Sequence, residues 1–132
     1  MPANHHIDNK AKLIITTWEG VAIDSDFIEA LKKYQKDIQS KPDYLGYNEL
    51  VNFNKVLSIK LTVEGLKNIG QLASRTDQNR VNTKLALVAS SDLAYGLARM
   101  YEAYRSFAQN TNKELRVFKE ESEALEWLQS NT

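Results

Sequence analysis

Few residue types in this chain could do chemistry. Histidine occurs twice, as the neighbours His5 and His6, and cysteine is absent. Without cysteine there is no thiolate nucleophile, disulfide framework or Cys-ligated zinc site. A neighbouring histidine pair could hold a metal ion weakly, but MPANHHIDNK reads as a solvated tail. With no histidine in the body, a Ser-His-Asp arrangement requires that tail to fold back into a site. Asp24 and Asp26 are spaced for acid-base work, yet they stand where a helix begins and read as capping groups. Ser91-Asp92 precedes another helix: either a cap worth about 1 kcal/mol, or a polar contact to a ligand or partner. Tyr95, Arg99 and Glu102 share one helix face: either solvated with a local Arg-Glu pair, or a recognition surface, since exposed Tyr and Arg anchor interfaces. None of these sets is a convincing catalytic group. The expectation is a protein that is not an enzyme, with no cofactor and no metal.

The elements that position these residues alternate strand and helix four times. KLIITTW, residues 12–18, is β-branched and aromatic and reads as a strand closed by Glu19-Gly20, with Val21 to Ile23 as a further short extended piece. A helix starts near Asp24, with Ile23 and Ile28 as a hydrophobic staple, and ends near Ser40 because Pro42 forbids continuation. Tyr47 to Phe53 is a second strand and Asn54 to Leu61 a connection. Thr62 is the N-cap candidate of a second helix running to about Ser74, with Leu66, Ile69, Leu72 and Ala73 on its core face. Residues 75–82 read as a polar loop. Leu85 to Ala89 is an unbroken apolar run, which suits a strand covered on both faces of a parallel sheet. The helix after it carries Leu93, Leu97, Met100, Tyr101, Tyr104 and Ala108 as its apolar stripe. After a connection at 110–114, Leu115 to Phe118 reads as an edge strand, and a last helix over 120–129 buries Ala124, Leu125 and Leu128. The pattern predicts a single α/β domain over 11–132 behind a flexible tail over 1–10.

In an open parallel sheet, ligands bind where strand carboxyl ends meet helix amino ends. That edge is expected at residues 19–26, 54–62, 90–95 and 119–121. Asp24, Asp26, Asp92, Glu120 and Glu121 outweigh Lys55, Lys60 and Lys119 there and can satisfy the helix ends themselves. A bound phosphate is therefore disfavoured, and no glycine-rich phosphate loop is present.

The 132 residues carry 17 Lys and Arg against 17 Asp and Glu. A net charge of zero argues against a nucleic-acid binder and against electrostatic membrane association. No apolar run approaches the ~20 residues of a membrane span. The expectation is a soluble, cytoplasmic protein.

The run SDLAYGLARMYEA, residues 91–103, resembles the "SD-x-A-[FY]-G-x-A-R-M" signature of the bacterial SpoIIAA-like family, the STAS/SEC14 domain proteins. Arg116-Val117-Phe118 and EALEWL, residues 123–128, are similar to its closing pattern. The resemblance implies a SpoIIAA/STAS-like four-turn β-α superhelix with a mainly parallel four- or five-stranded sheet. It also implies a non-enzymatic regulatory module that binds a protein partner, with Ser91, Asp92, Tyr95 and Arg99 as the candidate surface. In the anti-sigma-factor antagonists of that family a serine is phosphorylated. Here the phosphorylation motif is missing, and Ser58 and Thr62 are the hydroxyls of the comparable stretch. SEC14-like relatives hold lipids in an apolar pocket. The alternative is thus a carrier of a small apolar or lipid-like ligand between the sheet and the second or third helix, where Gly65, Gly70, Ala94, Gly96 and Ala98 are small. A third reading is a small enzyme using carboxylates, Tyr95 and Arg99. An edge strand and exposed tyrosines would support a homodimer.

Overall fold

The computed structural model describes residues 2–77, 82–106 and 113–130, with the backbone alone at 39, 75–77 and 106. Strands β1 (Ala3–Asp8), β2 (Leu13–Ile23), β3 (Asn48–Lys60), β4 (Thr83–Val88) and β5 (Lys113–Phe118) form one sheet in that spatial order. β1 is antiparallel to β2, and β2 to β5 run parallel. Helices α1 (Asp24–Tyr34), α2 (Val63–Asp77), α3 (Asp92–Ser106) and α4 (Glu121–Gln129) follow β2, β3, β4 and β5.

Side chains alternate across a strand, so each strand serves two layers. Leu13, Leu50, Ala86 and Val88 meet Ala124, Trp127 and Leu128 of α4 on one face. Asn48 locks that layer: its Nδ2 donates to the Leu128 carbonyl at 2.9 Å and its Oδ1 accepts from Lys84 N at 2.9 Å. The opposite face, with Thr16, Trp18, Glu49, Val51, Phe53, Leu85 and Leu87, lies under α1, α2 and α3.

Several expectations are corrected. The N-terminal segment over 3–8 is not a tail, because Ala3–Asp8 pairs along β2 and buries Ala3. Asn54 to Leu61 is no connection: β3 runs to Lys60 beside a β2 that passes through Gly20 to Ile23. Gly20 does not close the strand; its φ of 71° lies between two register shifts that keep the pair together. In α3, Leu93 and Met100 are 65% and 42% exposed, whereas Ala94, Ala98 and Arg105 are buried. Small side chains allow the closest approach to the sheet, and they set the helix rotation. The polar loop overlaps α2 at 75–77. Its remainder over 78–81, most of the 110–114 connection and Ala108 lie outside the described residues.

Asp24 does not cap its own helix; Asp26 accepts from the Ile23 amide at 3.0 Å instead. Asp24 reaches across to α2, accepting from Thr62 N at 3.0 Å and Thr62 Oγ1 at 2.6 Å. A Cβ on Gly65 would collide with that carboxylate, while one on Gly96 would meet open space. Gly65→Ala is therefore expected to lower stability by about 1–2 kcal/mol through loss of those bonds. Gly96→Ala, in the exposed interior of α3, is expected to raise it by about 0.5–1 kcal/mol. Urea unfolding of the two variants checks the opposite signs.

Candidate functional site

A cavity of about 150 Å³ lies between the sheet and the α1–α3 layer. Helical spacing aims Phe27, Ala30 and Tyr34 of α1, Leu66, Ile69 and Ala73 of α2, and Ala94, Ala98 and Tyr101 of α3 at it. Four of those nine are alanine. Alanines hold the helices at a distance that the strand side chains beneath do not fill.

The two ends of the cavity differ. Towards the strand carboxyl ends the walls are apolar: Trp18 stacks on Phe27 at 4.3 Å and on Phe53 at 6.0 Å, with Ile59, Leu61 and Leu66 beside them. Towards the strand amino ends stand the polar linings. His5 lies opposite Thr16 in the β1–β2 register, and His5 Nδ1 is 2.8 Å from Thr16 Oγ1. Glu49 is ion-paired to Lys113, with only 7% and 5% of the two side chains exposed. Lys113 also stands 5.7 Å from the Tyr34 ring centroid. Arg105 Nη1 donates to Tyr101 Oη at 3.0 Å. Arg105 belongs to the last turn of α3, where the helix dipole favours a cation.

His5 Nε2 is buried with no hydrogen-bond partner. Burial, aided by Lys33, holds the His5 pKa below the ordinary 6.5, against the opposing pull of the Ala30 carbonyl, Glu49 and Asp37. His5 and Thr16 alone do not complete a nucleophile–base–orienter set: no carboxylate hydrogen-bonds Nε2 to fix the ring. Among the described residues, no group of three or more His, Cys, Asp and Glu side chains gathers as a metal site.

Of the residues singled out in the sequence, Ala94 and Ala98 line the cavity, whereas the candidate surface residues lie elsewhere. Ser91 Oγ accepts from Ala94 N at 3.2 Å as the cap of α3. Asp92, 97% exposed at its side chain, is 3.1 Å from Lys119 Nζ. Lys119 also stands 5.0 Å from the Tyr95 ring centroid. Arg99 Nε is 3.0 Å from Glu102, and a hydrogen bond with Tyr95, then that carboxylate, raises the Arg99 pKa. The four form a strip along α3, and none of them lines the cavity. Thr62 Oγ1 accepts from Gly65 N at 2.9 Å as the cap of α2, and half-buried Ser58 pairs beside Val21 in β3.

His5, read as part of a tail, lines the cavity, and the cavity groups absent from the sequence reading are Thr16, Glu49, Arg105 and Lys113. A signal for three of them was present. Thr16 and Glu49 keep the period-two phase of Trp18 and of Val51 and Phe53, so they face the same layer. Arg105 follows Tyr101 by four residues on one helix face.

Because the folded pKa of His5 is depressed, the unfolded chain binds more protons as pH falls below the unfolded value of 6.5. That share of stability is complete above pH 6.5 and declines as pH falls toward the folded pKa. Unfolding free energy is expected to fall between about pH 7 and pH 5.5, with a smaller slope in His5→Gln. Chemical denaturation at several pH values measures both slopes.

Neither a family model nor a curated protein matches the chain. A solved structure does: the crystal structure of an uncharacterised DUF3478-family protein with a SpoIIAA-like fold from Shewanella loihica PV-4. The TM-score is 0.56 at 13% identity, over 96% of this chain and 91% of that one. The four strand–helix units, the mostly parallel five-stranded sheet and this likeness agree with the expected architecture, and the chain has a SpoIIAA-like fold.

Proposed function

We propose that this SpoIIAA-like chain is a non-enzymatic binding module that holds a small apolar ligand between the sheet and α1–α3. The observation that carries this reading is the cavity of about 150 Å³ walled by aromatic and aliphatic side chains. Domains keep few voids larger than a water molecule, and a ligand that fills this one stabilises the fold by its binding free energy. Alanine at 30, 73, 94 and 98 maintains the space where leucine would close it.

Ala98→Leu tests the reading directly. It is expected to raise apo stability by about 1–2 kcal/mol through filled volume and to abolish ligand uptake. Ala30→Leu provides a second position on another helix. Native mass spectrometry of freshly purified protein reads uptake, and thermal melts read stability. A variant that binds as well as the parent would refute the cavity as the site.

A second reading, a STAS-like regulatory module with a protein partner, draws on the outer face of α3. There Leu93 and Met100, 65% and 42% exposed, flank the Asp92, Tyr95 and Arg99 strip. Apolar and cationic groups together suit an interface. In this reading Tyr95→Ala with Arg99→Ala loses a partner that Ala98→Leu retains, as a binding titration with that partner would register.

A further inference from the structure

We propose that β5 is the surface on which a second copy of this chain docks, strand antiparallel to strand, so that the two five-stranded sheets join into one. The inference is independent of the ligand reading and leaves the cavity intact.

A strand at the edge of a sheet offers its outer backbone groups to a further strand, and folded chains blunt that edge with proline, a bulge or a very short strand. β5 carries none of these devices. It has no proline, and its six residues are a common strand length. It follows β4 through six consecutive register pairs without a shift. Among the described residues, no strand pairs with its other side.

The charges select the partner. Side chains alternate between faces along β5. Leu115 and Val117 pack with Ala98 under α3, whereas the Arg116 guanidinium lies 5.1 Å from the Trp127 ring centroid of α4. Glu114 and Arg116 therefore share the α4 face, with 56% of each side chain exposed and 3.9 Å between them. In an antiparallel ladder, a two-fold axis through Leu115 sets that residue opposite its own copy. Glu114 then faces Arg116 of the second copy, and Arg116 faces Glu114 of the second copy. One strand thus supplies two cross-strand pairs of opposite charge, each of which stabilises the ladder, and the contact is self-complementary as a two-fold interface requires. Lys113 falls opposite Val117, so no like charges meet. The other edge lacks this property: β1, ANHHID, holds one carboxylate and no Lys or Arg.

A stable interface takes about 800 Å² from each partner, more than one six-residue edge supplies, so the flanks of the strand must contribute. Lys119, directly after β5, is 3.1 Å from Asp92 and 5.0 Å from the Tyr95 ring centroid. The Asp92, Tyr95 and Arg99 strip therefore lies on the β5 side of α3. The two-fold axis sets the two copies of α3 antiparallel on one face of the joined sheet, with these strips towards each other. Exposed tyrosine and arginine are the residue types that anchor such contacts.

Sedimentation equilibrium of the full chain tests the inference. The parent is expected to be dimeric at about 100 μM, above the micromolar end of the affinity range for interfaces of this size. Glu114→Arg sets Arg opposite Arg at both cross-strand positions and is expected to weaken the dimer at least about tenfold. Arg116→Glu makes the same test with carboxylates. The double variant Glu114→Arg with Arg116→Glu restores opposite charges in the same register and is expected to recover the dimer. Both side chains are more than half exposed, so the variants are expected to keep the parent fold, which circular dichroism checks. A monomeric parent would overturn the inference. So would a dimer unmoved by either single reversal, or a double variant that folds and stays as weak as the single ones.

Discussion

A carboxylate buried in the middle of a sheet cannot stay charged without a partner, and here the partner comes from two strands away. Glu49 belongs to β3 and Lys113 to β5, with β4 between them. The ammonium reaches over the start of β4, where the register partner of Lys113 is the short side chain of Thr83. Removing one member of such a buried pair costs about 3–5 kcal/mol, because the other charge is left unpaired. The edge strand is thus held by more than its ladder of hydrogen bonds. The same pair gives the helix-covered face a polar end, which a purely aliphatic core would lack.

The rest of that layer is arranged around the polar end. Tyr34 stands over Lys113 from the end of α1. Tyr101 and Arg105 approach from the last turns of α3. His5 approaches from β1, where the register sets it against Thr16. Helix carboxyl ends and strand amino ends share this edge, so it is the edge opposite the one where open parallel sheets usually bind ligands. At the usual edge several side chains are already engaged: Asp24 bonds Thr62, Ser91 caps its own helix, and Asp92 pairs with Lys119.

The alternation of strand and helix, the parallel sheet and the apolar centre of β4 were legible in the sequence because each rests on local periodicity. Helix rotation was less so. Counting large apolar residues turned α3 toward Leu93 and Met100, whereas packing chose Ala94 and Ala98, which a hydropathy pattern undervalues. The site was legible only in part. Ala94 and Ala98 stood out as small residues, but Glu49 and Lys113 are 64 positions apart, and nothing local joins them. His5 was hidden for another reason: a polar N-terminal segment shows no strand signal of its own, and it becomes a strand only because β2 offers it an edge.

That last feature bears on the buried charges. β1 is the outermost strand, attached to the sheet along one side. His5 lines the same cavity as Glu49 and Lys113. β5, which carries Lys113, is the other strand with a single neighbour, so both edges of the sheet contribute a side chain to the polar end. Fraying of β1 would remove His5 from the polar end and Ala3 from the core beside Trp18 at once. The N-terminal strand therefore couples the polar end of the layer to its apolar centre.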